Sequence, residues 1–459
     1  EMVLAGGLDA PLAVLVGGGP AAPPTVTLRH GQEAASVILL RGVGVMVRHA
    51  GPEAADRLLA AVLARAGAAI APLLHRTATG GAFLPPVGWL PAAVLKSADR
   101  KGRALAGRSE EVGDVVLREV AQAAGELQGC GVVLDAARET HASPHEVAAM
   151  AGGVLEVLES ALRCPLFLES AAGAKAASDV MWALVRGSGD AATLHRVLGT
   201  AVDALRASQH PAFISLMSRA VCQHGDAAGG RAAEMCGAVV DQMSRDTPGV
   251  QVEDETTEES RSVVFPRLLA DVIRGRLSAF AGAGALNQAL DLCTQMLRGS
   301  SGPAALAALG LALRLLLAPF APPGLAAERG AEGGGAASDA FAAVATEVMV
   351  TRGGGQALVA ELFAGARGLM PPNHVSDIAG TLHAFCLAAP PDVSRAWIDA
   401  ASGSGPVAGG KDKEAAKVKA EQHRREFVEE LLGQESAGDV HKFKRCLKQF
   451  CGGKKKGGQ

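Results

Sequence analysis

Apolar residues recur at three- and four-residue steps along most of this chain, and roughly every 15–25 residues the recurrence is broken by Gly, Pro, Ser or Asp. The clearest stretch is PHEVAAMAGGVLEVLESALR, residues 144–163. Val147, Ala151, Val154, Leu155, Leu158 and Leu162 share one helix face, and Ser143, Pro144 and Glu146 supply a cap, a first-turn proline and a capping acid. Asp190 precedes ATLHRVLGTAVDALRAS, His210-Pro211 precede AFISLMSRAVCQHG, and Ser338-Asp339 precede AFAAVATEVMV in the same way. Further helices are predicted at 53–74, 112–128, 174–187, 229–245, 262–281, 284–298, 303–318, 356–369 and 374–388. Paired, they repeat about every 40 residues, the period of HEAT-type units, whose helix pairs bury a shared stripe only by stacking on neighbours. The expected fold is therefore all-α, a HEAT-like helical-repeat superhelical solenoid over 51–400. Residues 1–50 are poorly defined; VTLRH and SVILLRGVGVMVRH there could be strands, the second also a helix.

The pattern changes near the end. Loops are expected at 17–24, 324–338 and 401–410, the last a linker to two charged amphipathic segments at 412–453. In the second of these, Val440, Phe443, Leu447 and Phe450 fall on one face, while Lys442, Lys444, Arg445 and Lys448 fall largely outside it. Gly452-Gly453 ends that helix before a basic tail at 454–459. This is the pattern of a helix that caps a stack, and its apolar stripe is expected on the helix holding Phe427–Leu432.

Composition sharpens the picture. Hydrophobic residues make up 49% of the chain, yet only 3% are aromatic and none is Tyr, so Ala with Leu and Val dominates the helix faces. Stacking platforms for single-stranded nucleic acid are not expected from such a chain. Residues after Gly410 carry ten Lys and three Arg against eight acids, a net +5; the whole chain is −3, so the remainder is −8. An acidic body argues against direct nucleic-acid binding and suits basic protein partners. Eight cysteines lie scattered in apolar stretches without a CxxC pair, as buried free thiols do in a reducing compartment. The chain starts at Glu1 with no signal pattern, so a fragment of a longer protein is expected. The run Ala304–Phe320 is almost long enough to span a bilayer, but Arg314 near its middle favours a buried solenoid helix.

Three constellations invite chemistry. LAVLVGGGPAAPP at 12–24 imitates a dinucleotide fingerprint through Gly17, Gly19 and Ala22, but Pro23-Pro24 stand where the phosphate-binding helix should begin, and Glu33 follows too closely to be the ribose acid. His141 and His145 are four apart, with a helix start between them and no third ligand in matching spacing. His441, Cys446 and Cys451 spread around their helix instead of converging. No cofactor, metal or enzymatic role is expected. The candidate binding residues are Glu253, Asp254, Glu255, Glu258 and Glu259: five carboxylates in seven positions, either solvated or poised for cations.

The segment PPNHVSDIAGTLHAFCLAAPPDVSRAWIDAA, followed after a Gly-rich break by REFVEELLGQESAGDVHKFKRCLKQFCGG, resembles the C-terminal end of β-karyopherins, most of all the transportin-SR and importin-thirteen branch. Trp397, Phe427, Phe443 and Phe450 stand where that pattern has aromatics. The resemblance implies a nuclear transport receptor that shuttles between nucleus and cytoplasm, with protein cargo, Ran-GTP and nucleoporin Phe-Gly repeats as partners. Arg-Ser-rich segments are among the cargoes it implies, although no dense arginine helix stands here to receive them. The family's Ran contact lies mainly in N-terminal repeats, which nothing in this chain matches. Two alternatives stay open: a helical-repeat scaffold unrelated to transport, and a flavin or nicotinamide oxidoreductase using residues 12–24.

Overall fold

Proline, glycine and capping side chains start and stop the helices close to where the periodicity places them. The computed structural model describes residues 52–78, 119–135, 138, 144–186, 190–245, 260–300, 302–320, 334–403, 413–433 and 438–452. Among these every regular element is helical, and the fold is an all-α helical-repeat solenoid. The possible strands before residue 50 lie outside the described residues. The chain divides into two compact units, 1–216 and 217–459.

The first unit holds α1 (Pro52–Ala78), α2 (119–135), α3 (Pro144–Leu162), the single turn α4 (Pro165–Leu168), α5 (Ala171–Arg186) and α6 (Ala191–Ser208), then the start of α7 (Ala212–His224). α1 packs on α3, α3 on α5, and α5 on α6. Polar bonds join the elements where apolar stripes do not. Arg65 of α1 reaches Glu126 of α2 at 2.6 Å, and Gln128 reaches Asp179 of α5 at 3.3 Å. Glu126 is buried, so its carboxylate depends on that arginine. Arg138 donates to the Ala183 carbonyl and, at 3.2 Å, to that of Leu184, two acceptors in the last turn of α5 that the helix cannot satisfy itself. Between α4 and α5, Ser170 Oγ donates to the Phe167 carbonyl at 3.0 Å and accepts from the Gly173 N–H at 2.9 Å. Glycine is required at 173 because a Cβ there would overlap the Phe167 carbonyl.

Asp190 caps α6 as its sequence predicts, accepting from the N–H of Ala192 at 3.1 Å and of Thr193 at 2.9 Å. The Thr193 and Ala192 N–H groups, together with the Thr193 hydroxyl, hold its carboxyl below the usual aspartate range. A depressed folded-state pKa contributes stability above the unfolded pKa, and that contribution is lost as pH falls through the folded value. Asp190→Asn keeps an acceptor oxygen without the titration. Its thermal midpoint is expected to vary less with acidification than the parent's, and equal slopes for both proteins would contradict the cap assignment.

The second unit continues with α8 (Asp226–Arg245), α9 (Arg261–Gly275), a 3-10 turn (Ser278–Phe280), α10 (Ala283–Gly299), α11 (Gly302–Leu317), α12 (Gly334–Thr346), α13 (Gly354–Ala364), α14 (Val375–Ala388), α15 (Pro391–Gly403), α16 (Lys413–Leu432) and α17 (Val440–Gly452). Two layers emerge. In one, α9, α11, α14 and α17 pack each on the next; in the other, α10, α13, α15 and α16 do so. α10 with α11, α13 with α14 and α16 with α17 bridge the layers. α12 stands outside this alternation, against α10 and the 3-10 turn. A polar seam crosses three helices of the unit. Ser218 of α7 donates to Asp271 of α9, Arg274 pairs with Asp271 at 2.9 Å and donates to Cys222 Sγ at 2.9 Å. Arg314 of α11, half-buried, feels both Arg274 and Asp271, and burial lowers its pKa.

Three expectations are corrected. α12 begins at Gly334, so Ser338 lies inside the helix, buried and accepting from Arg276 at 3.1 Å, and is no cap. The predicted helix at 356–369 leaves α geometry after Ala364 and closes as a π turn, in which Gly368 takes φ 121°. The stripe of α17 is also shared differently. Phe443 and Leu447 are fully buried and Phe450 is half-buried, but Val440 at the first turn is 39% exposed. Phe443 meets His383 of α14, whereas Phe450 stacks on Phe427 of α16 at 3.8 Å. Facing two helices at once, α17 cannot bury its entire stripe against one.

Candidate binding surface

The five carboxylates Glu253, Asp254, Glu255, Glu258 and Glu259 lie outside the described residues, as do Gly17, Gly19, Ala22, Glu33 and His141. His145 lies in the first turn of α3. What is described is the point where the acidic run enters α9. Ser260 is buried, with extended backbone (φ −68°, ψ 154°), and its hydroxyl lies 2.9 Å from that of Ser262. Further along α9, Phe265 and Leu269 share one helix face.

There an apolar groove of about 330 Å³ opens between α8, α9, the 3-10 turn and α10. Cys236 and Val240 come from α8, Phe265 and Leu269 from α9, Phe280 from the 3-10 turn, and Leu292 from α10. Spacing explains the convergence: 236 and 240, like 265 and 269, are four apart and so share a helix face. On α10 Leu286, Cys293, Met296 and Leu297 are buried in the core, Ala289 is buried against the groove, and Gln288, Asp291 and Gln295 are exposed along it. Leu292 falls between the two sets and is half-buried. Burial pushes the Cys236 thiol up to about 12, so it is a packing group and not a nucleophile.

A second cleft, of about 420 Å³, lies between α15 and α16 and is lined mainly by charge. Arg424 binds Asp399 at 3.1 Å and Glu421 at 3.4 Å, and Arg425 reaches Glu421 at 3.4 Å. These charges largely neutralise one another, which leaves little field for a ligand.

Beneath it the C-terminal aromatics interlock. Phe427 meets Phe363 edge-on at 6.1 Å, Phe450 stacks on Phe427 at 3.8 Å and on His423 at 5.8 Å, and the Arg367 guanidinium lies 5.5 Å from the Phe450 ring. Trp397 stacks on Phe385 at 5.1 Å, with Phe320 6.2 Å from both rings. Trp397, Phe427, Phe443 and Phe450 thus all serve packing. Cys446 is buried and Cys451 half-buried; burial pushes the first up to about 12 and raises the second, while His441 is exposed. Among the described residues no group of His, Cys, Asp and Glu converges as metal ligands would, and no helix is long and apolar enough to cross a membrane. The groove escapes sequence reading because its walls come from three helices. The one local sign is Leu292, an apolar residue beside the polar stripe of α10. The chain matches no protein-family model and no curated protein.

Proposed function

We propose that this chain is the C-terminal, cargo-binding arch of a β-karyopherin-type nuclear transport receptor, which shuttles between nucleus and cytoplasm under Ran control. One observation carries the reading: Trp397, Phe427, Phe443 and Phe450, the aromatics of the family-like segment, all serve in the packing of α13–α17, where the helical stack closes. Stacked helical repeats offer extended surfaces for protein partners. A mildly acidic body favours basic cargo, steered by charge. The chemistry is recognition: no nucleophile–base pair is needed for it.

A helical-repeat scaffold outside transport is the second reading, supported by the fold alone. Purified full-length protein, tested against purified Ran in its GTP and GDP forms and against Phe-Gly repeat peptides, separates the two. GTP-dependent Ran binding together with Phe-Gly binding is expected of a receptor, and absence of both leaves the scaffold.

The acidic run supplies a further prediction. Replacing Glu253, Asp254, Glu255, Glu258 and Glu259 with Ser or Gln is expected to weaken binding of Arg/Lys-rich peptides. The loss should shrink as salt screens charge over about 8–10 Å. Thermal stability should barely move, because solvated charges contribute little to folding. Unchanged peptide affinity at low salt would remove the run from the binding surface.

A further inference from the structure

We infer that the groove between α8, α9 and α10 receives the apolar face of a basic amphipathic helix from a partner protein. This deepens the protein-binding reading above and depends on it.

Four observations on α8–α10 lead to this occupant. The first is unfinished burial at the groove's edge: Cys236, Phe265 and Leu269 form a buried apolar floor, while Val240 and Leu292 beside it remain half-buried. Covering such surface is favourable by about 25 cal/mol per Å². The second is size. At about 330 Å³ the groove sits at the small end of the range for ligand sites, so it accepts side chains and leaves a helix backbone outside. The third is length. Gln288, Asp291 and Gln295 line it at i, i+3 and i+7, two turns of α10 or about 10 Å. A helix laid alongside presents anchors at that same spacing, which is how amphipathic helices fill grooves.

The fourth observation is charge. Among the described residues Asp291 is the only acidic or basic side chain lining the groove, and it has no ion-pair partner there. No Lys or Arg lines it among the described residues. Arg267 of α9 is exposed but lies about 200° around the helix from Phe265 and from Leu269. Arg298, one turn beyond Gln295, is already held by Glu361, with Nε 3.0 Å from Oε2 and Nη2 bonded to Oε1. A cation on the partner therefore finds an unpaired carboxylate and, among the described residues, no competing cation. A second copy of the chain is a poor occupant: the most basic of the described amphipathic helices, α17, already buries Phe443 and Leu447.

The test uses the full chain and a fluorescent peptide of about five helical turns, with Leu at i, i+3 and i+7 and Lys on the opposite face. A control peptide has the same composition in scrambled order. The patterned peptide is expected to bind at least about 10-fold more tightly, since apolar register carries the interaction. Leu292→Glu should lose about 10-fold or more, and Asp291→Lys about 5-fold, most at low salt. Asp291 is exposed, so its variant keeps the test sound even if Leu292→Glu perturbs folding. Equal binding of the two peptides, or full affinity in both variants, would overturn the inference. Binding that survives both variants but disappears when 253–259 is neutralised would retain the acidic-run prediction and remove the groove. Failure of the Ran and Phe-Gly tests would remove the transport reading without touching either.

Discussion

Phe443→Ala is expected to destabilise the C-terminal closure of the chain by about 3–5 kcal/mol, the range for truncating a fully buried phenylalanine. Its ring is completely enclosed and meets His383 edge-on at 5.2 Å, so deletion leaves a void between α14 and α17 that neither helix can refill. Leu447, one turn away and equally buried, loses packing at the same time. The effect should be local first. α17 is held by α14, α16 and the π turn after α13, whereas α9 and α10 do not depend on it. Hydrogen exchange should therefore rise over 440–452 before it rises in α9. Val440→Ala is the matched control and should cost little, since Val440 is 39% exposed. Equal loss for the two variants, or none for Phe443→Ala, would show that α17 is not anchored through this ring.

Gly355→Ala is expected to cost about 3 kcal/mol, the upper part of the range for overpacking. A methyl at this position would overlap the Trp397 ring and stand 2.9 Å from the Met349 carbonyl oxygen. The ring cannot swing away freely because it is stacked on Phe385, 7° from parallel. Either α13 and α15 separate, or the Trp397–Phe385–Phe320 cluster breaks. Denaturant unfolding should show a lower midpoint, and Trp fluorescence in the folded state should shift as Trp397 leaves its site. The double variant Gly355→Ala, Trp397→Leu should recover part of the loss. If Gly355→Ala is as stable as the parent, the close approach of α13 to α15 is wrong.

Much of the helical pattern is legible from local information. Asp190, Pro144 and the Gly-Pro breaks act through the backbone groups beside them, so the helix starts at 144 and 191 follow from a few neighbouring residues. The burial of Phe443 and Leu447 follows equally from a 3.6-residue period. Where a local rule misleads, distant packing overrides it: Ser338 reads as a cap but is occupied by Arg276, 62 positions away, and α12 extends through it. Only tertiary packing distinguishes Val440 from Phe443, because which part of a stripe is covered depends on which helices stand opposite. The groove is the extreme case. Its lining joins residues 236 to 295 across three helices and a 3-10 turn, and Leu292 alone gives a local sign of it. Periodicity along a helix settles which side is apolar, but cavities arise from how neighbouring helices fail to close, and that is a property of their crossing and not of any one stripe.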